Sequence, residues 1–67
     1  MQELLNNLKE RKPFHVIYDG DDFGIYNFNK EKQRYEGIIG HIDLKAMVGI
    51  IKDKNSFIKL EVVNETN

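Results

Sequence analysis

The sequence predicts a mainly β fold, bordering on α+β, in which a short N-terminal helix precedes a four- or five-stranded antiparallel meander. Three observations lead there. Aromatic and β-branched residues crowd the stretch from Phe14 to Val63, and these residue types suit a pleated, half-buried surface. Clusters of Asp, Gly, Asn and Lys interrupt that stretch at short intervals, as tight connections between short strands require. Residues 2–11 space their apolar side chains for a helix, and a proline follows them closely.

In that first segment Leu4, Leu5 and Leu8 stand at i, i+1 and i+4 among Glu3, Asn7, Lys9 and Arg11. This is the narrow apolar stripe of a surface helix, read here as residues 2–11. Pro13 excludes its continuation and pushes Lys12 out of the helical region, so a strand should begin at Phe14. Phe14 to Tyr18 reads as that strand. Asp19, Gly20, Asp21 and Asp22 read as the turn after it, because aspartate satisfies local amides and glycine accepts positive φ. A second strand follows from Phe23 to Phe28, then a polar tip at Asn29–Lys32. The chain returns from Gln33 to Ile39, with Gly37 and Gly40 marking points where a strand bulges or bends.

The stretch from His41 to Lys54 fits two periods. As a helix it has Asp43 as N-cap, with Leu44, Met47, Val48 and Ile51 on one face. As a strand it has Val48, Ile50 and Ile51, and Gly49 weakens the helix by about 1 kcal/mol relative to alanine. We read a helical turn at Asp43–Ala46 leading into a strand at Met47–Ile51, a tip at Lys52–Asn55, and a last strand at Phe57–Val63. In that strand Ile58, Leu60 and Val62 share one face. Residues 64–67 form a polar tail, and its Asn64-Glu65-Thr66 acceptor pattern is read as a chance match. The layout, a short helix followed by five strands and tight turns over residues 2–63, resembles a small SH3-like or Sm-like barrel. That likeness implies a strongly bent sheet, and it carries no site residues over to this chain.

A chain of 67 residues buries only about 60% of the surface its unfolded form exposes, so residues 1–67 make one domain with one core. The absence of cysteine removes disulfides and thiolate metal sites and points to a reducing, cytoplasmic setting. Spaced leucines near the N-terminus do not make a signal peptide, and no apolar run reaches the ~18 residues of a membrane span. Ten basic and eleven acidic residues leave a net charge of −1, which argues against affinity drawn from neutralising many phosphates.

Catalytic motifs are sparse. His15 and His41 lack a second ligand at metal spacing, although folding could set either beside Asp43 or the 19–22 acids as a base with its orienting carboxylate. Ser56 has no nucleophile motif around it. The glycines do not form a phosphate loop, and the acids at 19–22 lack the register of a calcium loop. No cofactor, no metal and no enzymatic activity are therefore expected. The adjacent pairs Ile38–Ile39, Ile50–Ile51 and Val62–Val63 place apolar groups on both sides of a strand. A single small sheet cannot cover both, so the surplus calls for a partner: a host protein, or a second copy in a homodimer. The reading is a small non-enzymatic module of phage, mobile-element or bacterial type that regulates or inhibits a host protein by contact. Tyr26, Phe28, Tyr35 and Ile39 are its expected contact residues. The alternative is a binder of RNA or single-stranded nucleic acid, with Lys30, Lys32, Arg34 and Lys52 on phosphates and Tyr35 as a stacking platform.

Overall fold

The computed structural model describes residues 2–63. In chain order the elements are α1 (Gln2–Lys9), β1 (Phe14–Tyr18), β2 (Asp21–Asn29), β3 (Arg34–Glu36), β4 (His41–Asp43), α2 (Leu44–Lys52) and β5 (Ile58–Val62). The strands form one antiparallel sheet in the order β4-β3-β2-β1-β5. That sheet curls into a half-barrel, with β4 and β5 as its two edges. The meander and the leading helix of the sequence reading are both present. The tail at 64–67, with its acceptor pattern, lies outside the described residues. No helix among the described residues is long and apolar enough to cross a membrane.

Helix α1 buries Leu8 and packs Leu4 and Leu5 against the core. It ends at Lys9, two residues before the expected limit, because Arg11 turns left-handed at φ +58°. The Arg11 N–H donates to the Leu8 carbonyl and the Lys12 N–H to the Asn7 carbonyl, both at 3.0 Å. This paired closure is the one a glycine usually provides. The Arg11 guanidinium stays close by, donating to the Leu8 carbonyl at 2.8 Å and lying 5.3 Å from the Phe28 ring centre.

The β1–β2 connection is shorter than expected. Asp19 and Gly20 alone make the turn, both at positive φ, and Tyr18 pairs directly with Asp21. Two consecutive positive-φ residues give the hairpin turn whose twist matches the flanking strands, and Asp-Gly is among its preferred sequences. Asp21 and Asp22 therefore belong to β2. Further along, His15 pairs with Ile25 but Ile17 with Asp22, so Phe23 and Gly24 together oppose Val16. Gly24 takes φ +89° in this bulge, and the Asp22 carboxylate accepts its N–H at 2.8 Å.

Strand β3 also ends early. It covers Arg34–Glu36, and Gly37 to Gly40 form a tight turn closed by the Gly37 N–H donating to the Gly40 carbonyl at 2.8 Å. Ile38 and Ile39 are thus turn residues, and the fourth strand is His41–Asp43. The segment Met47–Ile51 is helical, which overturns the strand reading. Asp43 caps α2 by accepting the Ala46 N–H at 2.8 Å. Burial of Met47 and Ile51 contributes about 1.5–3 kcal/mol each, outweighing the roughly 1 kcal/mol cost of Gly49. Of the anticipated tip at 52–55 only Lys52 is helical; Asp53 caps the helix, its N–H donating to the Gly49 carbonyl, and Lys54–Asn55 make the turn. Helix α2 carries the chain from β4 to β5 and lies against both edge strands.

The core centres on Tyr35, Phe14 and Met47, each at 0% exposure. The Tyr35 ring lies 5.6 Å from Phe14 and 5.4 Å from Phe28, the latter edge-on, and its hydroxyl donates to the Lys12 carbonyl at 2.7 Å. Burial pushes the Tyr35 phenol from 10.0 up to about 12, against a smaller opposing effect of Arg11. Because the folded value exceeds the unfolded one, this contribution to stability is complete below pH 10 and is lost as the pH rises through 12. Tyr35→Phe is expected to cost about 1–3 kcal/mol at neutral pH, since the Lys12 carbonyl loses its partner. It should also flatten the fall in stability between pH 10 and 12. Urea unfolding across that range checks both, and an unchanged alkaline limb would discount the buried phenol.

Candidate functional site

The two ends of the half-barrel differ. At the end where α1 meets β1, the aromatic cluster of Phe14, Phe28 and Tyr35 fills the interior and Arg11 covers it. At the other end, near the Asp19–Gly20 turn, the interior opens into a groove of about 340 Å³. Register explains its floor and one wall: Tyr18 stands opposite Ile58 on β5 and Asp21 on β2, and directly opposed residues share a face. Val16, Phe23 and Tyr26 continue the floor, with the Phe23 and Tyr18 rings 6.3 Å apart. Ile39 to Ile42, from the Gly37–Gly40 turn and β4, make the second wall. The groove thus lies where the sheet does not close, between the starts of its two edge strands.

Its rim exposes large apolar side chains. Ile39, 63% exposed, and Tyr18, 51%, line the groove, and Ile38 at 90% and Phe57 at 75% are the chain neighbours of the lining residues Ile39 and Ile58. Single apolar residues on a surface are ordinary, but a grouping of them around one groove is what interaction surfaces look like. The turn that carries Ile38 and Ile39 is seated on the core. A Cβ at Gly37 would run into the Tyr26 ring, and Tyr26 is only 4% exposed, so glycine is required for the turn to lie this close.

The expected contact residues separate. Ile39 is on the groove wall and Tyr26 forms its floor, while Phe28 is half-buried in the aromatic cluster at the opposite end. Tyr35 cannot touch a partner, because the alternation Arg34-Tyr35-Glu36 points its middle residue inward. The same burial removes Tyr35 as a stacking platform. Arg34 donates from Nε to the Glu36 carboxylate at 2.8 Å. Hydrogen bonds from Asn29 and then Arg34 hold the Glu36 carboxyl below the ordinary carboxylate range. Lys30 and Lys32 are exposed on the β2–β3 loop, but Lys52 sits at the far end of α2 from Asp43, the register partner of Arg34. The five residues of the nucleic-acid reading do not form one surface.

Among the described residues no group of three or more His, Cys, Asp or Glu side chains is placed to hold a metal. Asp21 and Asp22 point to opposite faces of β2, and Asp22 is engaged by the bulge. The Gly24 N–H is the main reason its carboxyl sits below the ordinary value, desolvation opposes this, and His15 assists. His15 does come beside an acid, with Nδ1 3.5 Å from Asp22 Oδ1, but that atom is buried and makes no good hydrogen bond. His41 is exposed on the groove wall.

Phe23 and Ile58 also line the groove and were not expected as contacts, whereas Ile38 entered the sequence reading only as part of an apolar pair. For the exposed Ile38–Ile39 turn the signal is Gly-Ile-Ile-Gly, whose flanking glycines mark a turn as readily as a bulge. In comparisons with known proteins, no family model, curated protein or solved structure matches this chain significantly. Gly37→Ala is expected to destabilise the protein by about 1–3 kcal/mol through overpacking and to displace the turn. Urea unfolding measures the first effect, and amide shift changes confined to Tyr26 and residues 37–40 the second. A neutral Gly37→Ala would mean that the turn is not seated on Tyr26.

Proposed function

We propose that the protein is a non-catalytic binding module that recognises another protein through the open end of its half-barrel, regulating or inhibiting that partner by occupancy. The carrying observation is the Ile38–Ile39 pair, held out on a glycine-flanked turn beside an apolar groove. Polar residues ordinarily fill such turns, and nothing in the packing of this fold needs two isoleucines there.

Magnitudes set what the contact must include. Burying the two isoleucines contributes about 3–6 kcal/mol, whereas association costs roughly 4–15 kcal/mol before any net affinity appears. The pair therefore needs Tyr18, Phe57 and the groove with it. A standard interface covers about 800 Å² per partner, roughly a sixth of the 5019 Å² surface of this protein. The rim and groove together form a suitable centre for such an area. Occupancy alone changes a partner's activity when it blocks a surface or favours one of two conformations.

The test compares wild type with the double variant Ile38→Asp/Ile39→Asp, whose exposed positions should leave fold stability within about 0.5 kcal/mol. Each immobilised protein captures partners from an extract of its source cells at 0.1 M and 1 M salt. Apolar contact predicts capture by wild type at both salt concentrations and loss in the variant. Capture that the variant retains would sink the proposal. So would a wild type that retains only nucleic acid, released at 1 M salt.

A further inference from the structure

Resting on that reading, we infer that the groove takes an extended segment of the partner, apolar where it enters and followed by lysine or arginine next to the Asp19–Asp21 turn. Three features of the groove select this occupant.

The first is size. A helix 10–12 Å across occupies roughly 420–610 Å³ per turn, so the groove of about 340 Å³ takes less than one whole turn. An extended chain reaches the same volume with two or three side chains. The second is position. The groove lies between His41 at the start of β4 and Ile58 at the start of β5, and each strand pairs on one side only. Unpaired strand edges offer backbone N–H and C=O groups that an extended segment satisfies and a helix does not.

The third is charge. The groove lining contains no Asp, Glu, Lys or Arg, and His41 is its only titratable group besides tyrosines. Asp21 shares a face and a register row with Tyr18 and Ile58, and Asp19 is the next residue after Tyr18. Both acids are exposed and, among the described residues, neither has an ion-pair partner. Lys54 and Lys59, with Asp53, border a second hollow that shares Ile58 with the groove but neither Tyr18 nor Phe23. The rim beside Tyr18 is therefore acidic, and a basic flank on the occupant complements it.

Charge disfavours a two-fold contact with a second copy of this chain, and non-closure a head-to-tail one. A two-fold contact through this end would bring two Asp19–Asp21 turns together. A head-to-tail contact would place the apolar rim on the polar Lys30–Lys32 end and would propagate without closing.

The experiment titrates the isotope-labelled protein with two peptides that share the core Leu-Thr-Val-Thr-Leu, one flanked by two lysines at each end and the other by two glutamates. Amide shifts of Tyr18, Ile39 and Ile58 report the location, and the fitted curves report affinity. The lysine-flanked peptide should bind in the groove at least fivefold more tightly at 50 mM salt. That preference should vanish at 1 M salt and in Asp19→Asn/Asp21→Asn, a variant that keeps the turn because asparagine accepts positive φ. Equal binding of both peptides would overturn the basic-flank inference and leave the protein-binding proposal standing. No shift with either peptide would overturn the extended-segment inference, while the isoleucine double variant tests the wider proposal separately. Concentration-dependent shifts of the same amides without peptide would assign the groove to a second copy.

Discussion

The fold depends on the burial of Tyr35. Its ring meets Phe14 from β1 and Phe28 from β2, so three successive strands of the sheet converge on one cluster. Its hydroxyl reaches across to the Lys12 carbonyl, just before β1. A flat sheet would hold β3 well away from the start of β1, since two inter-strand spacings separate them. The contact therefore requires the sheet to curl. Arg11 completes the arrangement by leaving the helix in a left-handed conformation that brings its guanidinium over Phe28. Helix end, strand start and sheet curvature are parts of one packing solution.

That solution leaves the molecule asymmetric. A chain of this length has too few large side chains to fill a half-barrel from end to end. Phe14, Phe28 and Tyr35 occupy one end, and Met47 and Ile51 of α2 plug the middle. At the remaining end Tyr18, Phe23 and Ile58 line a space that none of the described residues fills. Of the adjacent apolar pairs in the sequence, only Ile38–Ile39 reaches this end, while Ile51 is buried and Ile50 and Val62 pack against the core.

Local chemistry was legible where one signal dominated. Leu4, Leu5 and Leu8 specified α1, Asp19-Gly20 a hairpin, and the alternation of Ile58, Leu60 and Val62 the inner face of β5. Errors arose where two local signals competed and a distant contact decided between them. Residues 44–52 satisfy a helical and a strand period alike, and the Asp43 cap together with burial of Met47 and Ile51 selects the helix. Gly37 fits a bulge as well as a turn, and only its approach to Tyr26 distinguishes them. Tyr26 and Tyr35 were read as surface aromatics by residue type, although Arg34-Tyr35-Glu36 already carried the polar-apolar-polar pattern of a half-buried strand. The groove itself could not be read from sequence, because it is a gap between β4 and β5, segments 14 residues apart in the chain and never hydrogen-bonded to each other.

The proposed recognition surface and the core share residues at the open end. Tyr26 is both the floor of the groove and the surface on which Gly37 rests, so the isoleucine turn takes its position from the core. Gly37 and Gly40 close that turn through a backbone hydrogen bond, which limits the backbone conformations open to Ile38 and Ile39. Ordering a loop on binding costs about 0.5–1.5 kcal/mol for each side chain immobilised, and a turn already restrained by its backbone avoids part of that cost. In a protein with so small a contact area, prior order at the tip raises affinity without added surface. It also narrows the choice of partner, because a restrained tip accepts fewer complementary shapes than a mobile loop would. In the proposed binding role, specificity would come from the shape of the turn that presents Ile38 and Ile39 beside the groove.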